Sequence, residues 1–273
     1  MKTVFAKPLK KSQRVNGEGF TLLELLVVLG VIAVLITLQL PVLAGGKSQT
    51  KIGMCASHVR QLALACQIYA NDNSDKLPML TVGSGAAWPW DLPASPADAL
   101  LKSGTEKRTF YCPGTAPRFT DKENWSGPGT GANSTLWNFN VSGQFHIVGY
   151  SLAFSGPASQ LATTNQNTSI QPERINNLLL GTSYIVPVSE RVLVADATLS
   201  SGATLPGYAH PENNYVSIAG GFQQNGVVYP HVSPHLKGAV PIGGNLGFKD
   251  GHVDWRKFEL MTPRNTFGPA FWW

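Results

Sequence analysis

Residues 19–73 read GFTLLELLVVLGVIAVLITLQLPVLAGGKSQTKIGMCASHVRQLALACQIYANDN. Positions 20–40 hold one charge, Glu24, and one further strongly polar side chain, Gln39. About 20 such residues cross a bilayer as a helix, so positions 20–44 are expected to be a transmembrane half-helix. Residues 1–19 carry Lys2, Lys7, Lys10, Lys11 and Arg14 against Glu18. A basic flank of this kind places the N-terminus in the cytoplasm. The expectation is therefore a single-pass protein of a bacterial inner membrane, its C-terminal domain periplasmic. Beyond Gly45-Gly46, apolar residues fall at Ile52, Cys55, Val59, Leu62, Cys66 and Tyr69. Steps of three and four make one stripe along a helix, so 45–73 is expected to be its amphipathic half. Pro41 and the glycine pair predict a kink or a locally unwound stretch.

A conventional secretory signal competes, with Val42-Leu43-Ala44 as its cleavage site. It is disfavoured by an apolar run longer than the usual 7–15 residues, by Glu24 near the start of that run, and by the helical pattern that follows.

Gly19-Phe20-Thr21-Leu22-Leu23-Glu24, behind a basic leader, resembles the class III signal of type IV pilins and type II secretion pseudopilins. The resemblance implies that a prepilin peptidase cuts between Gly19 and Phe20 and methylates the new N-terminal phenylalanine. It also implies assembly roles for Glu24, fifth from the cut, and for Pro41, twenty-second. The fold it implies is α+β and pilin-like: one long helix packed on the antiparallel sheet of a loop-rich domain, 74–273. The function it implies is a filament subunit that needs no catalytic group or cofactor. Its partners would be the prepilin peptidase, other pilin or pseudopilin subunits and an inner-membrane assembly platform. A plain membrane anchor, a displayed glycan-binding module and a tethered hydrolase are the rival readings.

The rest of the chain is less explicit. The 28 glycines and 19 prolines predict many turns. Charged residues make only 14% of the chain, and the formal charge of +5 resides mostly in the leader. A nucleic-acid footprint, which needs basic residues clustered on the folded domain, is not expected. A short helix is read at 96–102 with Ser95 as its cap. Strands are read at 109–112, 144–152, 191–195, 226–229, 245–248 and 252–258.

The segments around Phe110-Tyr111-Cys112-Pro113, Val194-Ala195-Asp196-Ala197 and Asp250-Gly251-His252 are similar to a prepilin-like subgroup whose C-terminal element is a histidine, nine residues, then Asp-Gly. Here 14 residues separate His235 from Asp250. Asp250-Gly251 is read as a tight turn, with Asp250 and Asp254 as candidate calcium ligands. The three cysteines allow one disulfide and a free thiol in an oxidising compartment, or three reduced thiols. Cys55–Cys112 is the candidate pair, although Cys66 lies equally on the stripe. The seven tryptophans are read as core in preference to a sugar-stacking surface.

Overall fold

The computed structural model describes residues 19–81, 88–115, 119–126, 135–138, 145–177, 181–202, 213–224, 227–265 and 269–273. The leader, apart from Gly19, lies outside the described residues, as does the side chain of Pro41. Helix α1 (Leu22–Asp72) comes first, and the chain divides between Gly46 and Lys47 into two units.

In the first unit, Thr21 and Glu24 start the helix. The Thr21 hydroxyl oxygen accepts the Glu24 N–H at 3.2 Å, while the Glu24 carboxylate accepts the Thr21 N–H and hydroxyl, each at 2.8 Å. Such a reciprocal capping box satisfies N–H groups that the first helical turn cannot pair internally. The large apolar side chains that follow are exposed on every face, Leu22 at 81% and Ile36 at 55%. No helix among the described residues is long and apolar enough to cross a membrane. The expected transmembrane half-helix, and the inner-membrane placement built on it, are corrected accordingly.

The second unit begins within α1 and continues through β1 (Asp91–Pro93), α2 (Ala94–Lys102), β2 (Phe145–Ile147) and β3 (Tyr150–Leu152). Next come β4 (Glu173–Asn177), β5 (Thr182–Val186), β6 (Val192–Asp196), β7 (Leu199–Ser200), β8 (Ile218–Gln224) and β9 (Val227–His231). The chain closes with β10 (Leu236–Lys237), β11 (Val240–Pro241), β12 (Gly243–Phe248), β13 (Val253–Lys257) and β14 (Ala270–Phe271).

The expected pilin-like α+β arrangement, one long helix laid on one antiparallel sheet, is not adopted. The described strands form six small antiparallel sheets, of which only β13-β12-β6-β3 has more than two strands. Which short strands pair is decided by contacts between distant positions, on which local strand propensity is silent. Two local expectations also change. Helix α2 starts at Ala94 with no side-chain cap, so Ser95 lies inside it. Residues 107–110 form a 3-10 turn that leads into Cys112 where a strand was expected.

The four-stranded sheet and the second half of α1 make the core. Cys55, Val59, Leu62, Ala63, Cys66 and Ala70 are all fully buried. Strand β6 reads VLVAD and is enclosed from Leu193 onward, the near-continuous apolar pattern of a strand covered on both faces. Strand β12 is buried throughout despite its glycines. Gly247 explains this: a Cβ there would stand 2.7 Å from Val59 Cγ1 and 3.6 Å from Ala63 Cβ. The glycine lets the helix backbone settle directly onto the strand. None of the seven tryptophans is exposed, and Trp90, Trp137, Trp272 and Trp273 are buried. They are therefore packing residues, consistent with the large apolar area each contributes.

Gly247→Leu should push α1 off β12 and lower stability by about 1–3 kcal/mol through overpacking. Adding Val59→Ala should restore part of that loss, because the two side chains compete for one space. Urea unfolding of the four-member mutant cycle measures the coupling, and strictly additive effects would contradict the contact.

Candidate functional site

Four distant segments meet at the end of β6. Cys55 comes from α1, Cys112 from the Cys-Pro turn after the 3-10 segment, Asp196 from the last position of β6, and His235 from the residue before β10. All four are buried, and one donor atom from each lies within 4.8 Å of the others. Sequence logic explains each position. Cys55 sits on the buried stripe of α1. Asp196 ends an enclosed apolar strand, so its carboxylate can only point into the interior.

The geometry is centred on two atoms. His235 Nε2 lies 3.0 Å from Asp196 Oδ2 and 3.2 Å from Cys112 Sγ. The Cys55 thiol donates to the same Asp196 Oδ2 at 3.0 Å. Around this ring, the Tyr150 hydroxyl donates to Cys55 Sγ at 3.4 Å, and the Gly114 N–H donates to Cys112 Sγ at 3.2 Å. The Asn245 N–H reaches Asp196 Oδ2 at 3.4 Å. The backbone of His235 is left-handed, with φ of 52°, a conformation costing roughly 1–3 kcal/mol that persists only where the surroundings impose it.

Electrostatics follow from enclosure. Burial alone would depress the His235 imidazole, but the Asp196 carboxylate beside it and Cys55 outweigh that and hold its pKa at about 10. Burial, then the bond to Cys55 and the charge of Asp196, push the Cys112 thiol well above its usual range. The cluster thus sets an imidazole held toward its protonated form beside a Cys112 thiol held toward its neutral form. It is not a nucleophilic triad: a triad puts the acid on one ring nitrogen and the nucleophile on the other, whereas here both meet Nε2.

The residues singled out by sequence fall at several places. Gly19, Phe20 and Glu24 lie at the start of α1, and Pro41 lies within it. Cys55 and Cys112 are brought together, as free thiols; Cys66 is a free, buried thiol elsewhere on the stripe. His231 does not join the cluster but packs against Trp90 and Phe119. Asp250 and Asp254 do not converge on a cation-sized space. His252 stands between them, its Nδ1 at 2.5 Å from Asp250 and its Nε2 at 3.6 Å from Asp254. Asp250-Gly251 joins β12 to β13, with Gly251 at φ of 88°. Asp196 and His235 escaped the sequence reading as site residues, because no spacing rule links positions so far apart.

Set against protein families, curated proteins and solved structures, the chain matches none of them.

Gly251→Val, placing a β-branched residue at positive φ, should lower stability by about 1–3 kcal/mol. Asp250→Asn keeps an acceptor for the His252 N–H and should stay within about 0.5 kcal/mol of wild type. Calcium should leave both melting temperatures unchanged. A calcium-dependent rise in the wild type that Asp250→Asn abolishes would restore a metal role to this turn.

Proposed function

We propose that the chain is a pilin-like or pseudopilin-like filament subunit, whose apolar half-helix packs against the same segment in other copies. The observation that supports this most is the exposure of large apolar residues on every face of α1 between Leu22 and Ile36. A helix apolar all round requires cover, and a bundle of identical helices supplies it. The Gly-Phe junction before Thr21 supports processing by a prepilin peptidase, which would create an α-amino group at Phe20. Glu24 is the only acidic residue among the described positions of this run, and a neighbouring subunit's new terminus would be its natural partner. In a water-poor bundle that attraction is weakly screened, so the pair would set the register between subunits.

Glu24 also belongs to the capping box, and the two roles separate by substitution. Glutamine serves in a capping box as glutamate does but carries no charge. Glu24→Gln should therefore keep the helix start, be cut after Gly19, and yield several-fold less sheared filament than wild type. Glu24→Val should lose both roles and assemble no better. The measurement is the ratio of filament to unassembled subunit, with cleavage followed on the same blot. Wild-type filament yield from Glu24→Gln would leave Glu24 as a cap alone and remove the charge pair from the reading.

A further inference from the structure

We infer that Cys55, Cys112, Asp196 and His235 bind one zinc ion in a closed tetrahedral site that fastens α1 to the β6 end of the central sheet. Several independent observations converge on it. Each residue offers one donor atom to a common centre, and those atoms all lie within 4.8 Å of one another. A tetrahedral zinc with sulfur bonds near 2.3 Å and nitrogen or oxygen bonds near 2.0–2.1 Å has donor–donor edges of about 3.3–3.8 Å. The observed edges, 3.0 Å for His235–Asp196 and for Cys55–Asp196 and 3.2 Å for Cys112–His235, need only small outward shifts to match.

Hydrogen bonding alone serves the cluster poorly. A single Nε2–H can point at Asp196 Oδ2 or at Cys112 Sγ, not both. The second carboxylate oxygen, Asp196 Oδ1, is buried with no hydrogen-bond partner, a costly condition in a dry interior. A cation at the centre satisfies Nε2, both sulfurs and Asp196 Oδ2 at once, and puts a positive charge beside the unpartnered Oδ1.

The surroundings are those a metal-bound thiolate requires. Each sulfur accepts one hydrogen bond from outside the ring, Cys55 from the Tyr150 hydroxyl and Cys112 from the Gly114 N–H. The Asn245 N–H does the same for Asp196. Outer partners of this kind orient ligands and moderate their charge. Two thiolates, one carboxylate and a neutral imidazole around a divalent ion leave one excess negative charge, which these donors face. Thiolate and imidazole ligands select zinc over the hard cations calcium and magnesium. Four protein ligands with no open position mark the site as structural, not catalytic.

The test uses the full chain, prepared in zinc-supplemented medium under reducing conditions. Elemental mass spectrometry should find about one zinc per chain, and cobalt(II) added after chelation should give the intense visible bands of a tetrahedral site plus a sulfur-to-cobalt charge-transfer band. Cys112→Ser should roughly halve that band. Tyr150→Phe keeps all four ligands and should weaken cobalt binding roughly 10–100-fold. Cys66→Ser, outside the site, should leave the spectrum unchanged. A wild-type chain that takes up neither metal while its thiols are free would overturn the assignment, and so would a native Cys55–Cys112 disulfide.

Discussion

The second unit depends on how closely one helix can approach one strand. Val59 of α1 meets β12 at Gly247, where no side chain intervenes, and every other burial in the centre follows. With the helix seated there, Leu62 and Cys66 fill the same interface. Cys55 of the same helix donates to the fully buried carboxyl of Asp196 at the end of β6. A bulkier residue at 247 would lift the stripe off the sheet and open the interior that holds the four-residue cluster. Backbone proximity comes first, and the polar centre is its product.

The elements that could be read from sequence are those whose signal is local. The three-and-four spacing from Ile52 to Tyr69 identified the buried face of α1, because a helix repeats every 3.6 residues whatever lies opposite. Asp250-Gly251 identified a turn because glycine tolerates positive φ. The apolar run from Phe20 misled, since hydropathy reports what a segment avoids and not what covers it. A bilayer and a bundle of like helices demand the same residues. The single antiparallel sheet failed for another reason: which short strands pair is decided by contacts between distant positions, and strand propensity is silent on those.

The cluster was the least legible part. Its members are separated by 57, 84 and 39 positions along the chain, so no motif spacing links them. One signal was present. An aspartate directly after Val192-Leu193-Val194-Ala195 is a charge at the end of a buried strand, and such a charge needs a partner. The Cys-Pro pair was visible too, but only as a candidate for a disulfide. The His235 backbone, left-handed and packed beside Gly114, has no sequence signature at all.

Cys66 sits on the same helical stripe as Cys55 but takes no part in the cluster. Its side chain is sealed under the sheet, and burial pushes its thiol well above the usual range. Alkylating reagents attack thiolates, so this sulfur is silent to them while the helix is seated. It reacts only when α1 lifts from β12. The molecule therefore contains its own clock for breathing: the rate at which Cys66 is labelled counts how often helix and sheet part company, a motion on the scale of local unfolding. Because the sulfur lies outside the polar centre but on the helix which that centre holds through Cys55, the clock also reports how firmly the centre grips α1.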